Sequence, residues 1–152
     1  MYQKKREAFT MIELIFVIVI IGILAAVAIP RLAATRDDAI ISSIANSVAN
    51  ATNEIAAYAV AHGRTESDFT VMSNAVEALI THGDAVQSGN VLNIKINSID
   101  DCLILEINST ARDSNLTISY GNTAGNSMCQ ELQKTVDDEK YPIPLTGRRI
   151  VP

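Results

Sequence analysis

Two cysteines and one isolated glutamate have the types and spacing that could do chemistry in this sequence. Cys102 and Cys129 are its 2 cysteines. Neither has another Cys or a His nearby in the sequence, so the pair lacks the ligand spacing of a zinc site. In a domain that faces an oxidising compartment, an even pair predicts a disulfide. Closing a loop of about 27 residues would contribute about 3 to 4 kcal/mol to stability.

Glu13 stands out because it lies at the start of a long apolar run. KKREAFTMIEL, residues 4–14, begins with basic residues, and no charged residue follows between Leu14 and Pro30. A carboxylate at the centre of a bilayer costs about 2.5 to 3.5 kcal/mol, whereas each large apolar residue contributes about −0.3 to −0.6 kcal/mol. Because the run holds about twelve such residues, insertion into a membrane remains favourable.

No arrangement in the sequence predicts catalysis. It contains no glycine-rich nucleotide-binding loop, no Cys-x-x-Cys pair and no histidine close to a nucleophile or to a set of metal ligands. His62 and His82 each precede a glycine, which is typical of residues at the C-terminal end of a helix. We therefore expect no enzymatic activity.

Three adjacent acids, Asp137, Asp138 and Glu139, form a weak calcium candidate. Carboxylate oxygens in a loop suit Ca²⁺, but this ion takes six to eight oxygen ligands, more than three adjacent acids supply. The alternative interpretation is a solvated turn. No other cofactor is predicted.

Two asparagines, Asn108 and Asn115, are candidate glycan acceptors because each begins an Asn-x-Ser/Thr sequence. Each also has an acid two residues earlier, Glu106 and Asp113, as in the longer acceptor sequence of one bacterial glycosylation pathway. Both asparagines lie at the edges of predicted strands.

The apolar run has the length of a membrane-spanning helix. The residues from Leu14 to Pro30 would extend about 25 Å as a helix, and those from Phe9 to Pro30 about 33 Å, against about 30 Å of bilayer hydrocarbon. The basic residues Lys4, Lys5 and Arg6 place the N-terminus in the cytoplasm by the positive-inside rule. The rest of the chain is then expected across the membrane.

The helical pattern continues past Pro30. Apolar and aromatic residues recur at spacings of three and four, which predicts one helix that continues over residues 31–62 and ends at Gly63. They are Ile41, Ile44, Val48, Ala51, Ile55, Tyr58 and His62. Gly22 and Pro30 weaken the helix, since glycine lowers helix propensity and proline removes a backbone hydrogen bond. We interpret them either as a conformational hinge or as a passive kink.

The remaining elements predict a small α+β domain. A second helix over residues 67–83 would be capped by Ser67. Alternating or continuous apolar runs predict strands at 91–97, 102–108 and 115–120, with a hairpin turn at Asp100 and Asp101. A short helix at 128–136 would be tied to the second of these strands through Cys129, and the tail over 141–152 would be irregular.

EAFTMIELIFVIVIIGILAAVAIPRL, residues 7–32, resembles the N-terminus of type IV prepilins and of type II secretion pseudopilins. The resemblance implies that a prepilin peptidase cuts between Ala8 and Phe9, that the new Phe9 amine is methylated and that the apolar helix is retained. Glu13 then becomes the fifth residue of the mature chain. The family usually has glycine before the cut, and here the residue is Ala8, the next smallest.

The resemblance also implies an architecture and a role. The fold class is α+β and pilin-like, with a long N-terminal helix on an antiparallel sheet of about three to four strands and a disulfide-linked C-terminal region. The divisions are a leader at 1–8, a transmembrane half at 9–30 and a periplasmic domain at 31–152, with the sheet over about 90–121 and the C-terminal region over 122–152. The protein would polymerise into a type IV pilus or a type II secretion pseudopilus.

The partners implied are identical or related pilin subunits, the peptidase and an ATP-driven assembly platform in the inner membrane. The Phe9 amine and Glu13 would pair between neighbouring subunits, because two separate charges in lipid cost more than a pair. The leader holds three of the 12 basic residues and one of the 17 acidic ones, so the mature chain carries a net charge of −7. That charge argues against nucleic acid as a partner.

Two other readings of the N-terminus stay open. A conventional secretory signal could be cut after Ala28, and it would release a domain that begins at Ile29. Against this reading, Glu13 would interrupt the apolar region of such a signal and Pro30 would lie just past the cut. A membrane-anchored periplasmic binding domain that never polymerises is the second alternative.

Overall fold

A computed structural model describes residues 9–109 and 113–145. The chain divides into two compact units between Asp37 and Asp38. The first unit contains the apolar part of the N-terminal helix, and the second contains a sheet, the shorter helices and one hydrophobic core. The predicted leader at 1–8 and the end of the predicted tail at 146–152 lie outside the described residues.

The predicted long helix is confirmed as α1, Met11–His62. It is helical through both Gly22 and Pro30. It ends where the sequence predicts, because Gly63 takes a φ of 68° and donates its N–H to the Ala59 carbonyl at 2.8 Å. The predicted apolar stripe is confirmed from Ile41 to Ile55, but Tyr58 is only partly buried and His62 is exposed. The buried residues of α1 are Ile41, Ile44, Val48, Ala51, Thr52, Ile55 and Ala59.

The prediction of one continuous second helix over 67–83 is wrong. The segment forms two helices, α2 at Phe69–Met72 and α3 at Asn74–His82. Between them Ser73 is extended, with φ −150° and ψ 121°, and its hydroxyl accepts a 3.1 Å hydrogen bond from the Val76 N–H. A serine competes in this way with helical backbone bonds and caps a new helix instead of continuing the old one.

The cap of the first of these helices also differs from the prediction. Asp68, and not Ser67, caps α2 by accepting hydrogen bonds from both the backbone N–H and the hydroxyl of Thr70, at 2.9 and 2.7 Å. As predicted, α3 ends at His82, and Gly83 follows it with a φ of 83°.

In the part of the chain that the structure describes, five antiparallel strands form the sheet, and neighbours in sequence are neighbours in space. The three predicted strands are confirmed as β2 at Val91–Ile96, β3 at Ile99–Ser109 and β4 at Ser114–Tyr120. The expectation of about three to four strands was too low, because β1 at Ala85–Ser88 and β5 at Ile143–Pro144 add the two edges. These edge strands are too short to show an alternating pattern, and β5 contains a proline, which is tolerated at an edge.

The hairpin turn between β2 and β3 lies three residues before its predicted place. Asn97 and Ser98 make the turn, and Ile96 pairs with Ile99. Asn97 has a φ of 55°, a conformation that asparagine tolerates in tight hairpin turns. Asp100 and Asp101 therefore belong to β3 and not to the turn.

One hydrophobic core unites the elements of the second unit. The inner face of the sheet contributes alternate residues of β2, β3 and β4, and the buried stripe of α1 contributes Ile44, Val48 and Ile55. The predicted short helix near the C-terminus is confirmed as α4, Ser127–Thr135, which buries Cys129 and Leu132. Each large aliphatic side chain buried in this way contributes about 1.5 to 3 kcal/mol relative to an exposed one.

Candidate functional site

The start of α1 is a reciprocal capping arrangement between Thr10 and Glu13. Glu13 Oε2 accepts hydrogen bonds from the Thr10 N–H at 2.8 Å and from the Thr10 hydroxyl at 2.7 Å. The Thr10 hydroxyl in turn accepts from the Glu13 N–H at 3.3 Å. These are the contacts of a capping box, which satisfies N–H groups that have no partner inside the helix.

The sequence analysis did not find this arrangement, although its signal is local. Thr10 and Glu13 have the Ser/Thr-x-x-Glu spacing that marks a capping box before an apolar run. Both bonds use Oε2, and in the described part of the chain Oε1 accepts no hydrogen bond. The same carboxylate can therefore cap its own helix and accept a hydrogen bond from a cation outside the chain.

Phe9 and the first half of α1 present a continuous apolar surface. Its large side chains are all exposed, from 41% at Ile20 to 87% at Phe9. They are Phe9, Met11, Ile12, Leu14, Ile15, Phe16, Val17, Ile18, Val19, Ile20, Ile21, Ile23, Leu24, Val27, Ile29 and Leu32. In the described residues, α1 is the one helix long and apolar enough to cross a membrane. So large an apolar surface requires lipid or other apolar helices around it.

Phe9, the predicted site of N-methylation, and Glu13, the predicted assembly residue, lie at the N-terminal end of the same apolar surface. The predicted cleavage would break the bond between Ala8 and Phe9, and Ala8 lies outside the described residues. Gly22 and Pro30, the predicted hinge, lie within an unbroken helix. These four roles stay predictions.

The predicted disulfide between Cys102 and Cys129 is confirmed. Their Cα atoms are 5.6 Å apart, and both residues are fully buried. The bond links β3 to α4, so it fixes the C-terminal region to the middle of the sheet.

A glutamine beside the disulfide makes a second link between the same elements. The Gln133 side-chain amide donates to the Cys102 carbonyl at 2.8 Å and to the Gly121 carbonyl at 3.0 Å. Gly121 itself donates its N–H to the Cys102 carbonyl at 3.1 Å. A Cβ atom at position 121 would collide with the carbonyl oxygen of Asp101, so this close backbone approach requires glycine.

Glu54 connects α1 to the start of α3. Its Oε2 accepts hydrogen bonds from the Ser73 hydroxyl at 2.6 Å and from the Ala75 N–H at 3.0 Å. The hydrogen bond from the Ser73 side chain, followed by that from the Ala75 backbone, lowers the pKa of Glu54 below its usual value. No local pattern indicates this contact, because the partners lie 19 and 21 residues away.

Tyr120 connects the end of β4 to the segment that follows α4. Its hydroxyl donates to the Val136 carbonyl at 2.6 Å and accepts from the Asp138 N–H at 3.3 Å. Burial of the phenol raises its pKa above the usual value.

The acidic run proposed for calcium is occupied by local contacts. Asp137 caps a 3-10 turn at Asp138–Lys140 by accepting from the Glu139 N–H at 3.1 Å. Its second oxygen lies 3.7 Å from the Lys140 ammonium. In residues 9–109 and 113–145, no group of three or more His, Cys, Asp or Glu side chains is placed to hold a metal ion.

The two candidate glycan acceptors lie side by side on the outer face of the sheet. Asn108 in β3 pairs directly with Asn115 in β4. The Asn108 amide donates to the Thr117 hydroxyl at 3.5 Å, which is the hydroxyl of the other acceptor sequence. Their modification stays a prediction.

The interpretation of both histidines as helix C-terminal residues is confirmed. His62 is the last residue of α1, where its Nδ1 lies 3.0 Å from the Tyr58 carbonyl oxygen and its ring stacks on Tyr58 at 4.0 Å between centroids. His82 is the last residue of α3.

Comparison with known proteins gives two matches. Residues 3–29 match the family model described as the prokaryotic N-terminal methylation motif. The major component of the type IV narrow pilus, PilA5, of Thermus thermophilus is 32% identical over 118 residues, which are 76% of this chain and 99% of that protein. No solved structure matches the chain. Both matches agree with the resemblance carried by residues 7–32.

Proposed function

The chain belongs to the type IV pilin family, and from this premise we propose that it is a structural subunit that polymerises into a type IV pilus. The relative is described as a major pilus component, and nearly the whole length of the relative aligns with this chain. That description favours a pilus over a secretion pseudopilus.

The observation that carries the proposal is the apolar surface of α1 from Phe9 to Leu32, which is exposed in the single chain. A surface of this kind can be covered by lipid while the subunit is stored and by the same surfaces of other subunits in a filament. The folded domain keeps its own core, so it needs no partner to bury apolar residues there.

We expect processing to convert the precursor into the assembling form. A prepilin peptidase would cut between Ala8 and Phe9, and the Phe9 amine would be methylated. Glu13 would then accept a hydrogen bond from the amine of a neighbouring subunit through Oε1, while Oε2 keeps its bonds to Thr10. A paired amine and carboxylate cost less in an apolar bundle than two separate charges.

We expect the subunit to be stored in the inner membrane with its basic N-terminus in the cytoplasm and its domain in the periplasm. The Cys102–Cys129 disulfide suits that oxidising compartment. Extraction from the membrane would require an assembly platform in which another protein hydrolyses ATP. The proposed role of this chain is therefore structural and not enzymatic.

Intact mass of the processed protein tests the first step. A mature chain that begins at Phe9, with the added mass of one methyl group, supports the proposal. A chain that begins at Ile29 would instead support a conventional secreted domain and would contradict it.

Imaging of filaments sheared from cells with and without this protein tests the second step. Filaments that contain the protein and disappear with its deletion support polymerisation. A correctly processed protein that stays in the membrane under assembling conditions would favour the anchored, non-polymerising alternative.

A further inference from the structure

Four exposed charged side chains lie at the end of the apolar part of α1 and just beyond it, namely Arg31, Arg36, Asp37 and Asp38. The first three belong to the first compact unit. The ion pairs in the described part of the chain are formed by other residues, namely Arg64–Glu66, Lys95–Asp100, Lys134–Glu131 and Lys140–Asp137. The single chain thus leaves both arginines and Asp37 without an opposite charge in contact.

Their spacing explains why they do not pair within one helix. Side chains on a helix face each other at separations of three or four residues, and not at one or two. Arg36 and Asp37 are adjacent, and Arg31 and Asp37 are six residues apart. Six residues correspond to about 9 Å along the axis and to sides of the helix about 120° apart.

This arrangement has the properties of a contact between two parallel copies. A filament is built by a heterologous contact, in which one patch of a subunit meets a different patch of the next. Arg31 and Asp37 offer such patches because their charges are opposite and they lie on different sides of the helix. If two copies had no axial offset, Arg31 would instead lie level with Arg31, and Asp37 with Asp37.

We propose that Arg31 of one subunit pairs with Asp37 of an adjacent copy, and that this pair fixes the axial offset between neighbouring α1 helices. The inference rests on the proposed function, since it requires that the chain polymerises. It adds a second polar contact, beyond the apolar segment, to the pairing proposed for Phe9 and Glu13.

The two contacts require axial offsets of similar size. Phe9 and Glu13 are four residues apart, so their pairing between copies requires an offset of about 6 Å, against about 9 Å for Arg31 and Asp37. The long arginine side chain can span the difference of about 3 Å. One displacement of about 6 to 9 Å along the helix axis therefore brings both pairs to about the same height.

The pair acts mainly on specificity. Exposed ion pairs contribute little to stability, but like charges placed together across an interface are strongly unfavourable. In the stored subunit, Arg31 would lie just beyond the apolar span, at the level of lipid phosphates. When the subunit leaves the membrane, Arg31 loses its contact with lipid phosphate. Asp37 of the neighbouring copy then provides the anion beside Arg31.

Charge exchange tests the proposal in cells that lack the native copy and express the full chain. Arg31→Asp or Asp37→Arg alone places like charges together, so the amount of sheared filament should fall at least about tenfold relative to processed subunit. The double variant Arg31→Asp/Asp37→Arg restores an opposite pair and should recover most of the filament. Mass measurement of the Phe9 start and thermal unfolding of the full chain in detergent check processing and folding.

Matched controls change the same charges at neighbouring positions. Arg36→Asp should retain filaments, because the residue six positions beyond Arg36 is Ser42, which offers no acid. Asp38→Arg should also be tolerated better than Asp37→Arg. If Arg31→Asp hinders membrane insertion, Arg31→Gln/Asp37→Arg removes the repulsion without a new acid near the membrane and should still exceed Asp37→Arg in filament yield.

The outcomes separate this proposal from the proposed function. Normal filaments from Arg31→Asp, or a failure of both double variants to improve on Asp37→Arg, would overturn the pair while wild-type filaments still support polymerisation. Rescue of Arg31→Asp by Asp38→Arg, and not by Asp37→Arg, would also overturn it. Absence of wild-type filaments would contradict the proposed function itself.

Discussion

The Glu54 carboxylate on α1 accepts a 2.6 Å hydrogen bond from the hydroxyl of Ser73, the residue that separates α2 from α3. This contact fixes the N-terminus of α3 against the long helix. Ser73 is buried, and its hydroxyl also caps α3 by accepting from the Val76 N–H. One side-chain pair thus determines where one helix ends and how the next is positioned.

Glu54→Gln is expected to destabilise the domain by about 1 kcal/mol at pH 7, because the charged acceptor of two hydrogen bonds becomes neutral. The folded state lowers the pKa of Glu54 from 4.5. Its stabilisation is therefore present above pH 4.5 and is lost as the pH falls through the lower folded-state value.

Chemical denaturation of the full chain in detergent, at pH values from neutral to below 4.5, measures this effect. The wild type should lose stability over the acidic range more steeply than Glu54→Gln. Glu77→Gln is the matched control, since Glu77 is exposed on α3. Parallel pH profiles for the wild type and Glu54→Gln would show that the carboxylate does not contribute in this way.

Removal of the disulfide by Cys102→Ser/Cys129→Ser should lower the free energy of unfolding by about 3 to 4 kcal/mol, because the unfolded chain is no longer restrained. Gln133→Ala should cost about 1 kcal/mol, since it removes two hydrogen bonds beside the same link. Denaturation of each variant, with and without a reductant, distinguishes the two contributions. Equal stability of the oxidised and reduced wild type would contradict the first expectation.

Gly121→Ala should destabilise the domain by about 1 to 3 kcal/mol, because the new Cβ would collide with the Asp101 carbonyl. The thermal unfolding midpoint measures the loss. Ser119→Ala, near the exposed end of β4 and two residues before Gly121, is the control and should change the midpoint little. A Gly121→Ala variant as stable as that control would show that the backbone at 121 can move away from Asp101 at no cost.

Glu13 has two roles that substitution can separate, namely the cap on its own helix and the charge offered to a neighbour. Glu13→Ala removes both, and we expect normal processing at Phe9 with little or no filament. Glu13→Gln keeps an oxygen that can cap the helix but loses the charge. If the charge matters, Glu13→Gln should fail in the filament assay as Glu13→Ala does, whereas full assembly of Glu13→Gln would assign the role to the cap.

Thr10 provides the complementary test of the cap. Thr10→Ser keeps the hydroxyl that bonds Glu13, and Thr10→Val keeps the shape but removes it. Hydrogen exchange in detergent should show faster exchange in the first turn of α1 for Thr10→Val than for Thr10→Ser. Identical exchange in the two variants would argue that the hydroxyl does not hold the helix start.

Much of the fold could be predicted from local sequence patterns. Apolar length and the lack of charge located the helix that could cross a membrane, a spacing of three and four located most of the buried stripe of α1, and alternation located β2, β3 and β4. The residues around Phe9 and Glu13 also carried the family resemblance. Each of these signals lies in consecutive residues, so it can be read before the chain folds.

Errors arose where a local signal was weak or was overridden. The helix over 67–83 breaks at Ser73, whose hydroxyl also bonds Glu54 from a distant part of the chain. β1 and β5 are too short for an alternating pattern and exist because β2 and β4 pair with them. The hairpin turn was misplaced because two adjacent aspartates, Asp100 and Asp101, are typical of a turn. The tight turn instead uses the positive φ of Asn97.

By itself, the sequence determined the long helix, its apolar first half, the three central strands and the pairing of its two cysteines. The tertiary structure decided the position of α3 through Glu54, the second link to α4 through Gln133 and the close approach at Gly121. The physical reason is the range of the interactions. Helix and strand periodicity depends on neighbours in the chain, whereas these contacts join residues that meet only after the backbone between them has folded.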